Sequence, residues 1–192
     1  MNVPQHIGTI YCDMDGVLVN FIQGTKNVLH RDWDSFKGPQ QRAIRNKAVF
    51  ESGPHVWANF PPEPDMHLLW NYVRPFNPGI LTAYPRGEDI NGRITTPNPK
   101  STKYAKEGKW EWVQKYLKVP FTKFHCVARE HKREFATSAH HNQIVSNVLI
   151  DDTPENIQEF IANRGIGILH KNAYSTIQQL KAYGIINPEF SH

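Results

Sequence analysis

The chain has 192 residues, 39% of them hydrophobic and 11% aromatic, and a formal net charge of +4. This is enough apolar mass for one domain with a modest insertion, and too much for a disordered chain. No apolar run approaches the roughly 18 residues of a membrane span, and the N-terminus lacks the basic-then-apolar pattern of a signal peptide.

Residues 7–12 (Ile-Gly-Thr-Ile-Tyr-Cys) read as a buried strand running into Asp13-Met14-Asp15-Gly16. From 22 to 76 a largely helical insertion is expected, with Trp33, Phe36, a basic helical segment over 40–50, Trp57 and Phe60. Near its end, 64–73 places Met66, Leu69, Trp70 and Val73 at helical spacing. Residues 78–81 form a short strand ending at Thr82. The stretch 84–106, rich in Pro, Gly, Thr, Asn and Lys, reads as a long polar loop. A helix over 108–117 carries Trp112, Val113, Tyr116 and Leu117, and a strand over 123–127 is followed by Arg129. His125 is expected to pack in that strand, and His140-His141 to lie in a loop without metal-ligand context. Residues 147–150 form a strand ending at Asp151-Asp152. A helix over 154–162 follows, with Thr153 as N-cap and Pro154 in its first turn. A strand over 165–169 and a helix over 175–183 close the chain. The two cysteines, Cys12 and Cys126, fall inside predicted strands and read as buried hydrophobes, not a disulfide.

Strands alternating with helices predict an α/β fold, a parallel sheet flanked by helices. The expected core covers 1–21 and 77–192, with 22–76 as a small helical cap. Ligands bind such sheets beyond the carboxyl ends of the strands. Four strands end there in Asp13 and Asp15, Thr82, Arg129, and Asp151 and Asp152. Paired acids at one sheet edge suit a hard metal ion and acid/base work at phosphorus. Gly16 permits a sharp exit from the first strand.

Asp13-Met14-Asp15-Gly16-Val17-Leu18-Val19 resembles the first motif of the haloacid dehalogenase (HAD) superfamily, most of whose members are phosphatases. Leu81-Thr82-Ala83 resembles its second motif and Leu149-Ile150-Asp151-Asp152 its fourth. Lys109-Trp110-Glu111-Trp112-Val113-Gln114-Lys115-Tyr116 is similar to the third motif of the 5'(3')-deoxyribonucleotidase branch. The chain is also similar to HAD-type proteins encoded by bacteriophages. The resemblance implies a Rossmann-like HAD core and a Mg²⁺-dependent phosphomonoesterase acting on (deoxy)nucleoside monophosphates through an aspartyl-phosphate. It assigns Asp13 as nucleophile and Asp15 as acid/base. Asp13, Asp152 and the Asp15 backbone carbonyl would hold Mg²⁺, with Asp151 behind them. Thr82 and Lys109 would hold the phosphoryl oxygens, although Lys100, Lys103 and Lys106 compete for the lysine's role. Phe21, Ala83 and Arg129 would meet the substrate.

Three departures bear on substrate choice: Asn20 in place of an acid, Ala83 in place of a serine, and the long stretch between Thr82 and Lys109. That stretch is basic, with Arg86, Arg93, Lys100, Lys103 and Lys106. Alternatives are therefore a phosphatase of nucleic-acid ends or of another phosphorylated metabolite, or a nucleotide-binding protein without turnover. The partner expected first is a small phosphorylated molecule, a nucleotide, with nucleic acid second and no membrane. The expected location is the cytoplasm, the host's if the chain is phage-encoded. Nothing in the sequence sets the oligomeric state.

Overall fold

In this computed structural model residues 7–140 and 143–190 are described. Residues 1–6 and 191–192 of the expected core, and His141, lie outside the described residues. The α/β fold expected from the alternation is the one that forms. β1 (Ile7–Cys12) pairs in parallel with β2 (Gly79–Ala83) and with β7 (Gln143–Asp151). β5 (Phe124–Val127) extends the sheet beyond β2. β8 (Ile166–Leu169) runs parallel to the C-terminal half of β7, and β6 (Thr137–His140) antiparallel to its N-terminal half. The parallel strands therefore stand in the order β5-β2-β1-β7-β8. The winding reverses between β1 and β7, and an open sheet leaves a crevice at that point beyond its carboxyl ends.

Alternation along the strands sorts side chains onto two faces. Ile10, Cys12, Ile80, Val148, Ile150 and Ile168 join one hydrophobic cluster. The same cluster takes Met66, Leu69 and Val73 of α4 (Met66–Val73) and Ile177 and Leu180 of α7 (Ala173–Ala182). Leu81, Leu149, Tyr11 and Leu169 pack on the other face with Ile157 and Phe160 of α6 (Pro154–Ala162). Burial on both sides explains why β2 and the second half of β7 are near-continuous apolar runs.

α1 (Phe21–Leu29), α2 (Gly38–Phe50) and α3 (Pro54–Ala58) form the first helices of the stretch 22–76. α4 ends that stretch and packs on α7, where the Tyr72 hydroxyl donates to the Ile185 carbonyl at 2.6 Å.

The expected loop 84–106 is largely ordered. β3 (Gly87–Glu88) and β4 (Ile94–Thr95) form a small hairpin, and α5 runs from Pro99 to Tyr116, starting about two and a half turns before the expected 108. The Asn98 side chain accepts from the Lys100 and Ser101 amides, and Pro99 follows as the first helical residue. The buried face is Ser101, Ala105, Gly108, Lys109, Trp112 and Val113. Its period is helical, but its first three members are small, because α3 crosses there. A Cβ on Gly108 would lie 2.1 Å from the Pro54 carbonyl oxygen. The strand expected over 147–150 is the end of the longer β7, and His140, expected in a loop, instead ends its hairpin partner β6 and pairs with Gln143. Among the described residues no helix is long and apolar enough to cross a membrane.

Candidate active site

The first strand's ladder continues one residue past β1, with the Asp13 amide donating to the Ile150 carbonyl at 2.9 Å. The chain then turns tightly. The Met14 carbonyl accepts from the amides of Val17, Leu18 and Val19 at 3.1, 2.8 and 2.8 Å. Gly16 holds φ at 74°, and a Cβ there would lie 2.2 Å from an Asp152 carboxylate oxygen. The glycine thus gives both the turn and the room that brings Asp152 against the first motif.

Asp13, Asp151 and Asp152 present oxygens that all lie within 4.8 Å of one another. Asp151 is saturated by protein. Its Oδ1 accepts from the Thr153 amide and Asn156 Nδ2, and its Oδ2 from Asn156 Nδ2 and Lys132 Nζ. Thr153 occupies the N-cap position of α6, but its hydroxyl donates to Asp152 Oδ1 at 3.2 Å instead of capping the helix. Asp151 takes over the Thr153 amide.

Lys132, in a 3₁₀ segment over Arg129–Phe135, is a site residue that no sequence motif marks. It is 2% exposed, 2.7 Å from Asp151 Oδ2 and 3.0 Å from Asp13 Oδ1. The contact with Asp13 is an ion pair without hydrogen-bond alignment, so Asp13 Oδ1 remains a buried oxygen with no hydrogen-bond donor. Burial works against the Lys132 charge, yet Asp13 and Asp151 outweigh it and hold the ammonium above its ordinary range. The residue sits in no periodic element. The available signal was stoichiometric, since four clustered acids call for more than one cation.

Lys109 is the lysine of α5 that reaches the site. Its Nζ donates to Asp15 Oδ2 at 2.7 Å, Thr82 Oγ1 at 2.9 Å and the Ala83 carbonyl at 2.7 Å, and it lies 5.2 Å from the Trp57 ring centroid. All three of its protons are engaged. Of its competitors, Lys103 pairs with Glu107, and Lys100 and Lys106 lie over Tyr104 and Tyr84. Burial pushes the Asp15 carboxyl up, Lys109 pulls it down and Asp13 adds to the push, with an upward balance. The Asp15 side chain is closely surrounded yet keeps 31% of its surface open. Crowding by protein, then the charges of Asp13 and Asp151, push Asp152 up to about 6 although its side chain stays open to solvent.

A cleft of ≈ 340 Å³ opens here, lined by Asp13, Asp15, Asp152 and Lys132 together with Phe21, Ala83 and Arg129. Thr82, Lys109 and Asp151 are buried behind it. Arg129 is tethered by Asn156 at 2.9 Å and Glu159 at 2.8 Å. Phe21 edges against Trp33 at 5.1 Å and Phe60 at 5.9 Å, while Trp57 and Phe60 are core, 3% and 2% exposed. His125 packs edge-on to Tyr11, and burial lowers its pKa. Four carboxylates face two ammonium groups, so the ionised cluster carries an excess of negative charge. The orphaned Asp13 oxygen and the converging acids fit a hard divalent cation.

No protein-family model matches the chain, and no curated protein matches it. Among solved structures it is similar to a hydrolase from Streptococcus pneumoniae TIGR4, at 13% identity over 92% of this chain and 98% of that chain, with a TM-score of 0.48. It is also similar to a hydrolase from Pseudomonas syringae, at 11% identity over 91% and 89%, with a TM-score of 0.41. Similarity at this level carries no argument about the chemistry.

Proposed function

We propose that the chain is a Mg²⁺-dependent phosphomonoesterase of the 5'(3')-nucleotidase type, acting on (deoxy)nucleoside monophosphates through an aspartyl-phosphate. Asp15 carries the reading. A site that only bound metal or nucleotide would need the ligating acids alone. Here a second carboxyl is pushed up by burial, is oriented by Lys109, and opens on the same cleft as Asp13. That is what a proton donor to a leaving group requires.

In the first step a carboxylate oxygen of Asp13 attacks phosphorus and the ester P–O bond breaks, while Asp15 protonates the departing alkoxide. In the second, Asp15 takes a proton from water, the water oxygen attacks phosphorus, and the bond to Asp13 breaks to release inorganic phosphate. Lys132 steadies Asp13 and Asp151, and Lys109 with Thr82 fixes Asp15. Asp13, Asp152 and the Asp15 backbone carbonyl would hold Mg²⁺, and Asp151, saturated by Lys132, Thr153 and Asn156, would stand behind them. Bound there, Mg²⁺ supplies charge neutralisation and polarisation of the phosphoryl group. Phe21 and Arg129 support a nucleotide in the cleft, one offering an aromatic face and the other a guanidinium. A nucleotide substrate would place the protein in a cytoplasm.

The test is release of inorganic phosphate from deoxynucleoside 5'- and 3'-monophosphates. Release with Mg²⁺ and its loss with EDTA are expected. Tight nucleotide binding without release from any phosphomonoester would overturn the enzyme reading.

A further inference from the structure

The catalytic cleft does not end at the nucleophile. Tyr84 and Arg86, directly after β2, line it and also line a second cavity of ≈ 290 Å³. Arg129 lines both as well, and the far side of the second cavity is formed by Ile94, Thr95 and Pro97 of the hairpin and its exit. The first cleft lies near the small end of the range for small-molecule sites, roughly 300–1,000 Å³. The second adds comparable room along a shared wall.

Charge on that wall is uneven. Arg86 is exposed and has no ion pair or hydrogen bond among the described residues. Other arginines nearby are occupied: Arg129 by Glu159 and Asn156, Arg42 by Glu88 at 3.2 Å, and Arg45 over the Trp33 ring at 3.5 Å. Glu88, the acid of β3, is held by Arg42 and Asn46 and so does not neutralise Arg86. Glu130 also lines the second cavity, but among the described residues it forms no ion pair with Arg86. A free guanidinium offers a planar fork that matches phosphate. Between the two cavities stands Tyr84, its amide donating to the Val127 carbonyl at 3.0 Å and its ring under Lys106 Nζ at 5.0 Å. An aromatic ring can stack a base without preference for its identity.

We infer that Arg86 marks a second anion subsite, which takes a phosphate group carried one nucleoside away from the phosphate that reacts, with Tyr84 facing the base between them. The inference rests on the phosphomonoesterase reading for the position of the first phosphate. Two sources share this chemistry, a nucleoside 3',5'-bisphosphate and the phosphorylated end of an oligonucleotide.

Calorimetric binding with Mg²⁺ to the Asp13→Asn protein, which cannot form the aspartyl-phosphate, reads the subsite without turnover. The ligands are a deoxynucleoside 5'-monophosphate, a 3',5'-bisphosphate and a 5'-phosphorylated dinucleotide. At least one two-phosphate ligand should bind about tenfold more tightly than the monophosphate, as a charged hydrogen-bonded contact provides. Which one does so separates the two sources. In Asp13→Asn/Arg86→Ala that advantage should vanish, and in Asp13→Asn/Arg86→Lys part of it should remain. Equal binding of all three ligands, or an advantage that survives Arg86→Ala, overturns the subsite. Failure of wild-type protein to release phosphate would count against the proposed function and leave this binding result standing on its own.

Discussion

At the scale of single residues, two buried lysines hold together four carboxylates that would otherwise repel one another. The side chains of Lys132 and its two partners are 3%, 8% and 0% exposed, so their attraction is little screened. Lys132→Met would leave Asp13 and Asp151 crowded with no cation between them. Denaturant unfolding should show a loss of about 3 kcal/mol, the usual cost of removing one partner from a buried pair. Added Mg²⁺ should restore more stability to this variant than to wild type, because the metal replaces the missing charge. Asp13→Asn acts in the opposite sense on the same cluster. It relieves repulsion while deleting the nucleophile, so phosphate release should fall by about 10³-fold or more with Tm unchanged or raised. Near-normal release from Asp13→Asn would exclude the aspartyl-phosphate route.

At the scale of elements, α5 shows how a helix can place a functional lysine deep in a core. Ser101, Ala105 and Gly108 let α3 approach closely, and the next residue on that face is Lys109. Intrinsic propensity favours alanine over glycine inside a helix by about 1 kcal/mol. Packing argues the other way, since the new Cβ would meet the Pro54 carbonyl oxygen at 2.1 Å. Gly108→Ala should therefore lower stability by about 1–3 kcal/mol, as overpacking does, measured by thermal unfolding. It should also slow phosphate release, because a shift of α5 moves Lys109 off Asp15. A stabilised Gly108→Ala would show that α3 is free to yield.

At the scale of the whole molecule, the reversal of winding between β1 and β7 puts the first and last acidic pairs side by side. The same sheet links the site to stability against acid. His170 follows β8, its amide donates to the Asp151 carbonyl at 2.9 Å, and its buried ring lies 2.8 Å from Thr176 Oγ1. Burial lowers its pKa, with Asp65 opposing. The unfolded chain therefore takes up a proton at His170 near its ordinary value of about 6.5 while the folded chain does not. Stability from this residue is present above that pH and is lost as pH falls. Asp152, raised to about 6, works in the opposite direction over an overlapping range, so the informative quantity is a difference. Between pH 7.5 and 5.5 wild type should lose more Tm than His170→Gln. Equal losses would mean that the imidazole is not held neutral.

Fold class and the residues that end the strands are readable from the chain alone. Period, caps and strand-end polarity are local properties of the chain, so β1 with Asp13, β2 with Thr82 and β7 with Asp151-Asp152 were legible as they stand. The start of α5 was written there too, in Asn98-Pro99, but its small buried residues hid the period that bulky ones would have shown. Which cation meets which acid follows from the packing of distant segments. Lys109 and Asp15 are 94 residues apart, and Lys132 lies in a short 3₁₀ segment with no pattern of its own. Charge pairing in a core depends on which strand ends the winding brings together, and no local feature of the chain encodes that.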